Sequence, residues 1–200
     1  MNHCDDCGIH DYSGSLIGTT MPNFSMPAYV DGKEKKVSLS DYKGKWYVLF
    51  FYPADFTFVC PTELEELADM YEQFQKIGCE VLSVSTDTAY AHKAWHDVSP
   101  AIKKVKYPML SDANHQLSTY CNVLIADEGL SLRGTFIVDP DGVIKGMEVN
   151  DNSMGRSAKE LLRKVKAAQF VREHGDQVCP ASWEEGDDTL TPGMDLVGKI

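Results

Sequence analysis

The chain has 200 residues, of which 43% are hydrophobic and 24% charged, and its formal net charge is −11 at pH 7. This length and composition are typical of one globular domain with short tails. The acidic balance argues against nucleic acid or an anionic membrane surface as a partner, and no stretch approaches the roughly 18 apolar residues of a membrane-spanning helix.

Residues 1–15 form a predicted N-terminal extension that carries Cys4-x2-Cys7 between His3 and His10. Three interpretations stay open: incidental thiols in a tail, a metal site completed by the two histidines, or an auxiliary dithiol that relays electrons. The segment lacks the apolar core of a signal peptide, so we expect a cytoplasmic location.

Strands and helices alternate along residues 16–174, which is the pattern of an α/β sheet covered by helices. The predicted strands are Lys36–Leu39, Trp46–Tyr52, Glu80–Ser85 and a hairpin of Thr135–Val138 with Val143–Val149. The predicted helices are Cys60–Ile77 (closed by Gly78), Ala89–Trp95, Ala113–Tyr120 and Ser157–Val171. Residues 175–200 are acidic and aperiodic, and they indicate an arm that lies on the domain or on a partner subunit.

Cys60 stands where the apolar strand Trp46–Tyr52 gives way to an amphipathic helix. A helix start presents unpaired backbone N–H groups and the positive end of the macrodipole, and both favour a thiolate. The thiolate is the nucleophilic form of cysteine. The residue three positions on is Glu63 rather than a second Cys, so the motif is not a Cys-x2-Cys pair. The pattern predicts a reactive thiol that attacks something other than a protein disulfide.

A thiolate alone does not make an efficient catalyst, because a thiol that ionises more easily is also intrinsically less nucleophilic. Most of the rate has to come from groups that hold the substrate in line and stabilise the departing group. The sequence offers Thr57 as a local hydroxyl. It also offers Arg133, at the start of the strand before the Pro-Asp-Gly turn, as a guanidinium.

Other chemically capable residues have simpler interpretations. We expect Cys79 and Cys121 to be small buried hydrophobes, and His115 to be a surface or capping residue. Turn chemistry explains Asp139-Pro140-Asp141-Gly142 better than a catalytic carboxylate pair does. Packing or interface roles are predicted for Trp95 and His96. The solvated face of a helix is predicted for the basic residues Arg156, Lys159, Arg163, Lys164 and Lys166.

The motif around Cys60 resembles the active site of the peroxiredoxin family. Pro53-x3-Thr57-x2-Cys60 is similar to the family pattern, and Arg133 stands in a matching Leu-Arg-Gly-Thr-Phe-Ile-Val-Asp-Pro context. The likeness covers nearly the whole chain from about Leu16, including 88–96, 178–183 and 195–200. Within the family, the chain resembles the typical two-cysteine type of the bacterial alkyl hydroperoxide reductases. The Cys-x2-Cys extension is not part of the family pattern.

The resemblance implies a role for each matching residue. Cys60 would be the peroxidatic cysteine, which attacks peroxide as a thiolate and becomes a sulfenic acid. Thr57 and Arg133 would hydrogen-bond and polarise the peroxide. Pro53 would shield the site, and Glu63 would orient the arginine.

The resemblance also implies how the cycle closes. Cys179 would be the resolving cysteine, supplied by a partner subunit, and a flavoprotein, thioredoxin or glutaredoxin would reduce the intersubunit disulfide. Antiparallel dimers would close into a ring, a decamer. The implied fold is a thioredoxin-like domain at 16–174, with a central mixed sheet flanked by helices, and a C-terminal arm at 175–200. No cofactor or metal is implied, because sulfur carries the chemistry of this antioxidant defence against hydrogen peroxide and organic hydroperoxides.

Two other functions stay open on the sequence alone: a thiol–disulfide oxidoreductase on the same fold, and a ring-forming holdase chaperone. Relatives that are sensitive to overoxidation carry a Gly-Gly-x-Gly loop and a Tyr-Phe C-terminal helix. Neither is present, because residues 88–106 contain no glycine and no Tyr-Phe pair follows Cys179. We therefore expect an enzyme that resists overoxidation.

Overall fold

The computed structural model describes residues 15–200, and its centre is a seven-stranded mixed sheet. Its strands are β1 (Ser25–Val30), β2 (Lys33–Ser38), β3 (Trp46–Phe51), β4 (Cys79–Ser85), β5 (Met109–Ser111), β8 (Arg133–Val138) and β9 (Ile144–Asn150). They lie in the order β2-β1-β5-β4-β3-β8-β9, with β3, β4 and β5 parallel and the other pairs antiparallel. A separate small hairpin is formed by β6 (Leu124–Ile125) and β7 (Leu130–Ser131).

Helices cover both faces of this sheet, as the alternating sequence pattern predicts. The helices are α1 (Cys60–Lys76), α2 (Ala89–Val98), α3 (Gln116–Tyr120) and α4 (Ala158–Glu173). The apolar residues of α1 and α4 share one core with Trp95 of α2, whereas Leu117 of α3 belongs to the core on the opposite face. No helix in the described part of the chain is both long and apolar enough to cross a membrane.

Strand β3 positions the site because it is buried on both faces. Its residues alternate between the two cores, so Val48 and Phe50 pack on the α1 side while Leu49 and Phe51 pack on the α3 side. A strand covered on both sides has to be apolar along its whole length, which explains its continuous hydrophobic run. The loop at 53–59 therefore follows the carboxyl end of a buried central strand. Ligands of α/β proteins bind at this end of the strands.

The strands and helices predicted from local signals are confirmed, with small shifts of their ends. The β8–β9 hairpin closes through a turn in which Asp139 Oδ1 accepts from the backbone N–H groups of Asp141 and Val143, both at 2.9 Å. Four strands were not predicted: β1 and β5 of the main sheet, and the short pair β6 and β7. The short strand at Lys36–Leu39 begins earlier, at Lys33, and ends at Ser38. The prediction that Arg156 lies on a solvated helix face is wrong, because this residue precedes α4 and is buried.

Candidate active site

Cys60 is the first residue of α1, and its side chain is completely buried. Val59 is the N-cap, and its carbonyl accepts the N–H groups of Thr62 at 3.0 Å and Glu63 at 3.3 Å. Pro61 fits the first turn because that position has no intrahelical N–H partner to lose. The predicted placement of this thiol at a helix start is therefore correct.

Arg133, the first residue of β8, brings a guanidinium to the sulfur. Its Nη1 lies 3.4 Å from Cys60 Sγ and donates to Glu63 Oε2 at 2.7 Å. Its Nε and Nη2 donate to the backbone oxygen of Asn152 at 3.0 and 2.9 Å. The side chain is thus held on two sides and is almost fully buried. This arrangement places a cation within hydrogen-bonding distance of the Cys60 sulfur.

Thr57 and Pro53 lie in the loop that leads to the thiol. The hydroxyl of Thr57 donates to the backbone oxygen of Ala54 at 2.9 Å. Since a hydroxyl has only one proton, this bond leaves its two lone pairs free to accept a hydrogen bond from another molecule. Pro53 is buried two residues after the end of β3.

Arg156 is a site residue that the sequence analysis missed. Its guanidinium donates to Glu63 Oε1 at 2.9 Å, and its backbone N–H donates to the same atom at 2.7 Å. It also reaches the backbone oxygens of Phe51 and Gly134, both at 2.8 Å, and stacks 3.5 Å above the ring of Phe50. Burial lowers the pKa of Arg156, and its bonds to Glu63 oppose that shift. Glu63 therefore lies between two buried arginines, and each of its carboxylate oxygens has an arginine partner.

A second buried network, also missed, anchors the loop before Thr57. Asp55 accepts from the Tyr52 hydroxyl at 2.8 Å and lies 2.8 Å from His92 Nδ1. The other ring nitrogen of His92 lies 3.2 Å from the backbone oxygen of Leu110, so both nitrogens face acceptors. The backbone N–H of Asp55 donates to Asp87 Oδ2 at 2.8 Å. The loop is thus fixed to β3, α2 and the end of β4.

Cys179 lies away from Cys60 in the same chain, and both are free thiols. Its Sγ lies 3.9 Å from the backbone oxygen of Ala167, so the arm seats it against α4. Burial raises the pKa of the Cys179 thiol, and the charge of Arg163 partly opposes that effect. Within one subunit, the two thiols predicted to work together are not paired.

The remaining predicted residues have structural surroundings. Cys79 and Cys121 are fully buried, and burial raises the pKa of each far above its ordinary value, so both are inert in the folded protein. His115 is the N-cap residue of α3, at φ 61°. Residues 15–200 contain no cluster of His, Cys, Asp and Glu able to hold a metal ion. Cys4 and Cys7 lie outside the described residues.

Most of the chain is similar to known proteins. The model of the AhpC/TSA family matches residues 17–147, and that of the C-terminal domain of 1-Cys peroxiredoxin matches 167–195. Alkyl hydroperoxide reductase C of Amphibacillus xylanus is 52% identical over 93% of this chain and 100% of its own length, and that of Escherichia coli is 51% identical with the same coverage.

Two solved structures are also similar to this chain. The crystal structure of Enterococcus faecalis AhpC has a TM-score of 0.81 at 51% identity, covering 84% of this chain and 100% of its own. Reduced Plasmodium vivax 2-Cys peroxiredoxin has a TM-score of 0.87 at 35% identity, covering 91% and 96%. Cys60 lies within the residues matched by the first family model and Cys179 within those matched by the second.

Proposed function

The chain belongs to the AhpC/TSA family and is a thiol-dependent peroxidase of the peroxiredoxin type, and from that premise we propose that Cys60 is its peroxidatic cysteine. The observation that carries this assignment is the 3.4 Å contact between the Arg133 guanidinium and the sulfur of Cys60. Cys60 is also the described cysteine that combines a helix start with a neighbouring cation.

The first step consumes one peroxide. The Cys60 thiolate attacks one peroxide oxygen, an S–O bond forms and the O–O bond breaks. The other oxygen leaves as alkoxide or hydroxide, takes up a proton and departs as alcohol or water. Arg133 donates to the peroxide and stabilises the charge that develops on it, while Thr57, whose own proton is held by Ala54, accepts from the peroxide O–H.

Glu63 and Pro53 support this step without touching sulfur. Glu63 accepts from Arg133 at 2.7 Å and keeps the guanidinium directed at Cys60. Pro53 is buried between β3 and the loop, where it keeps water from the thiolate. The proposal gives both residues a positioning role.

The second step forms a disulfide with the partner subunit's Cys179. The Cys179 thiol gives up its proton, and its thiolate attacks the sulfenic sulfur. The S–S bond forms, the S–OH bond breaks, and the departing hydroxide takes up a proton and leaves as water. Cys60 is fully buried and Cys179 is seated on α4, so the first turn of α1 has to unwind and the arm has to leave its seat. An external flavoprotein, thioredoxin or glutaredoxin then reduces the disulfide.

We propose a homodimer that closes into a decameric ring. The family implies a peroxide substrate, a reductase and ring assembly. Strand β9 is the last strand of the sheet and exposes Met147 and Val149, and an open edge of this kind favours pairing with a second copy. We also propose a cytoplasmic location, where reducing conditions keep Cys60 in its attacking form.

The test is a titration with hydrogen peroxide, followed by non-reducing electrophoresis and disulfide mapping. We expect a dimer linked Cys60 to Cys179 at one equivalent, absent from Cys60→Ser and from Cys179→Ser. An unmodified Cys60 would contradict the proposal. A monomer that keeps Cys60 as sulfenic acid would show that Cys179 does not resolve it, and Cys4 and Cys7 would then be tested by the same mapping.

A further inference from the structure

The arm that carries Cys179 folds back on itself as a small closed loop. Val178 and Leu190 exchange both of their backbone hydrogen bonds, at 2.8 and 3.1 Å. Inside the loop, Trp183 is only 4% exposed, and its indole N–H donates to the backbone oxygen of Asp187 at 3.2 Å. The loop is therefore a compact unit, not an extended tail.

This loop is seated on α4 by one aromatic contact and one strong hydrogen bond. The ring of Trp183 packs on Phe170 with centroids 4.9 Å apart. Arg163 Nη1 donates to the backbone oxygen of Trp183 at 2.9 Å. Lys166 also pairs with Glu185, but that ion pair lies at the surface, where such pairs contribute little.

Arg163 is held in place before it meets the arm. Its Nε and Nη2 donate to the two carboxylate oxygens of Glu160, at 2.7 and 2.8 Å. This two-point contact fixes the plane of the guanidinium, so the third donor points at the Trp183 oxygen without further loss of side-chain freedom. The bonds to Glu160 also raise the pKa of Arg163, which keeps it charged.

The backbone next to Trp183 is strained in the seated state. Ser182 has φ 59°, in the left-handed region that residues with a Cβ rarely adopt. Such a conformation persists only when the surroundings hold it, and here they are the Arg163 bond and the Phe170 contact. Loss of either contact favours release of the loop, and Cys179 leaves α4 with it.

We propose that Arg163 is a positioning residue for the resolving step, because its hydrogen bond to Trp183 holds the arm on α4 and the breaking of that bond limits how fast Cys179 reaches the partner subunit's Cys60. This inference rests on the proposed function, in which Cys179 resolves the sulfenic acid. Arg163 touches neither the peroxide nor a reacting sulfur. It acts on the second step and leaves the first unchanged.

The test separates the two steps in time. Reduced wild type and reduced Arg163→Met are each mixed with one equivalent of hydrogen peroxide, and samples are quenched at intervals with an alkylating reagent. Oxidised Cys60 and the Cys60–Cys179 disulfide are then quantified by mass spectrometry. We expect Cys60 oxidation at the wild-type rate and disulfide formation roughly three- to tenfold faster, as loss of one charge-assisted bond from a partly exposed seat allows. At higher peroxide, less Cys60 should reach sulfinic acid.

Three further variants exclude a merely structural effect. Lys166→Gln removes a cation from the same helix and should keep the wild-type disulfide rate. Arg163→Lys keeps the positive charge and should form the disulfide at a rate between those of the wild type and Arg163→Met. Glu160→Gln leaves the guanidinium less firmly oriented and should accelerate the disulfide to a smaller extent, which gives a second test if Arg163→Met folds poorly.

The outcomes distinguish this inference from the proposed function. Disulfide formation in Arg163→Met at the wild-type rate would overturn the role of Arg163 alone. Slower Cys60 oxidation together with a lower melting temperature would also overturn it, since that pattern describes general damage. A wild-type protein that forms no Cys60–Cys179 disulfide would overturn the proposed resolving step and this inference with it.

Discussion

Replacing Arg156 with Met tests whether the buried ion network stabilises the site. The substitution keeps an apolar stem but removes the guanidinium donors that reach Glu63, Phe51 and Gly134, while the backbone N–H of residue 156 still donates to Glu63. Breaking a buried ion pair typically costs about 3–5 kcal/mol, because a charge and its polar neighbours stay buried without partners. Glu63 keeps its bond to Arg133, so we expect the low end, about 3 kcal/mol.

The measurement is the free energy of unfolding of the reduced protein in urea, at fixed protein concentration because assembly contributes to stability. A loss of about 3 kcal/mol corresponds to a fall in melting temperature of roughly 6–12 °C for a chain of this size. Lys104→Met is the control: its ammonium pairs with Glu65 and Asp69 at the surface, and we expect little change.

The same variant should also slow the chemistry. Without the Arg156 guanidinium, Glu63 Oε1 keeps only its bond from the backbone N–H of residue 156, and the guanidinium of Arg133 loses part of its orientation toward Cys60. A displacement of about 1 Å is enough to cost about a hundredfold in rate. Single-turnover oxidation of Cys60 in stopped flow measures this. Wild-type stability and wild-type rate in Arg156→Met would refute the reasoning.

Three other results are expected. Thr57→Val should slow Cys60 oxidation about a hundredfold through loss of one polar contact to the peroxide, whereas Thr57→Ser should keep most of the rate. A single-turnover rate of Thr57→Val equal to that of the wild type would show that the hydroxyl has no role in the mechanism. Overoxidation of Cys60 should be slow, because the last helical element of the arm is the single 3-10 turn Met194–Leu196, in which Met194 is exposed. Detection of sulfinic acid at Cys60 by mass spectrometry after a few turnovers at low peroxide would contradict this expectation. Burial raises the pKa of the Cys179 thiol, so the protonated thiol favours the arm in its seat on α4 at pH values below about 8.5. This stabilisation is lost as the pH rises through the raised pKa of the seated thiol. Limited proteolysis of the arm should therefore increase between pH 7.5 and 10 more in the wild type than in Cys179→Ser, and equal increases would show that the thiol contributes nothing to the seat.

The elements that could be predicted from the sequence are those with a complete local signal. Strand β3 is a continuous apolar run, and the β8–β9 hairpin has its Asp-Pro-Asp-Gly turn. Strand β5 has only three residues, and β1 mixes exposed and buried positions, so neither carries a local pattern of useful length. Both are strands because the sheet pairs them with each other, at Ala28 with Leu110 and Tyr29 with Met109.

The candidate site was only partly predictable for the same reason. The structure brings Arg133 and Glu63 into contact near Cys60, and their roles there stay predictions. Arg156 was placed on the helix although Ser157 and Glu160 have the spacing of a capping box, which marks Ser157 as the N-cap and Arg156 as a residue before the helix. That signal was available in the sequence.

The Asp55–His92 contact had no such signal. The two residues are 37 positions apart, and only the packing of α2 beside the loop brings them together. Contacts between buried polar side chains that are far apart in the sequence leave no trace in local periodicity, which explains why the support of the loop was missed while the thiol itself was found.

The most direct test of the central claim is a single turnover of Cys179→Ser with one equivalent of hydrogen peroxide, followed by trapping of sulfenic acid with dimedone and peptide mapping. This variant cannot complete the proposed disulfide, so the first oxidised species accumulates. We predict one label per chain, on Cys60, with Cys79 and Cys121 unlabelled. A label on Cys4, Cys7 or the buried cysteines, with Cys60 unmodified, would contradict the account.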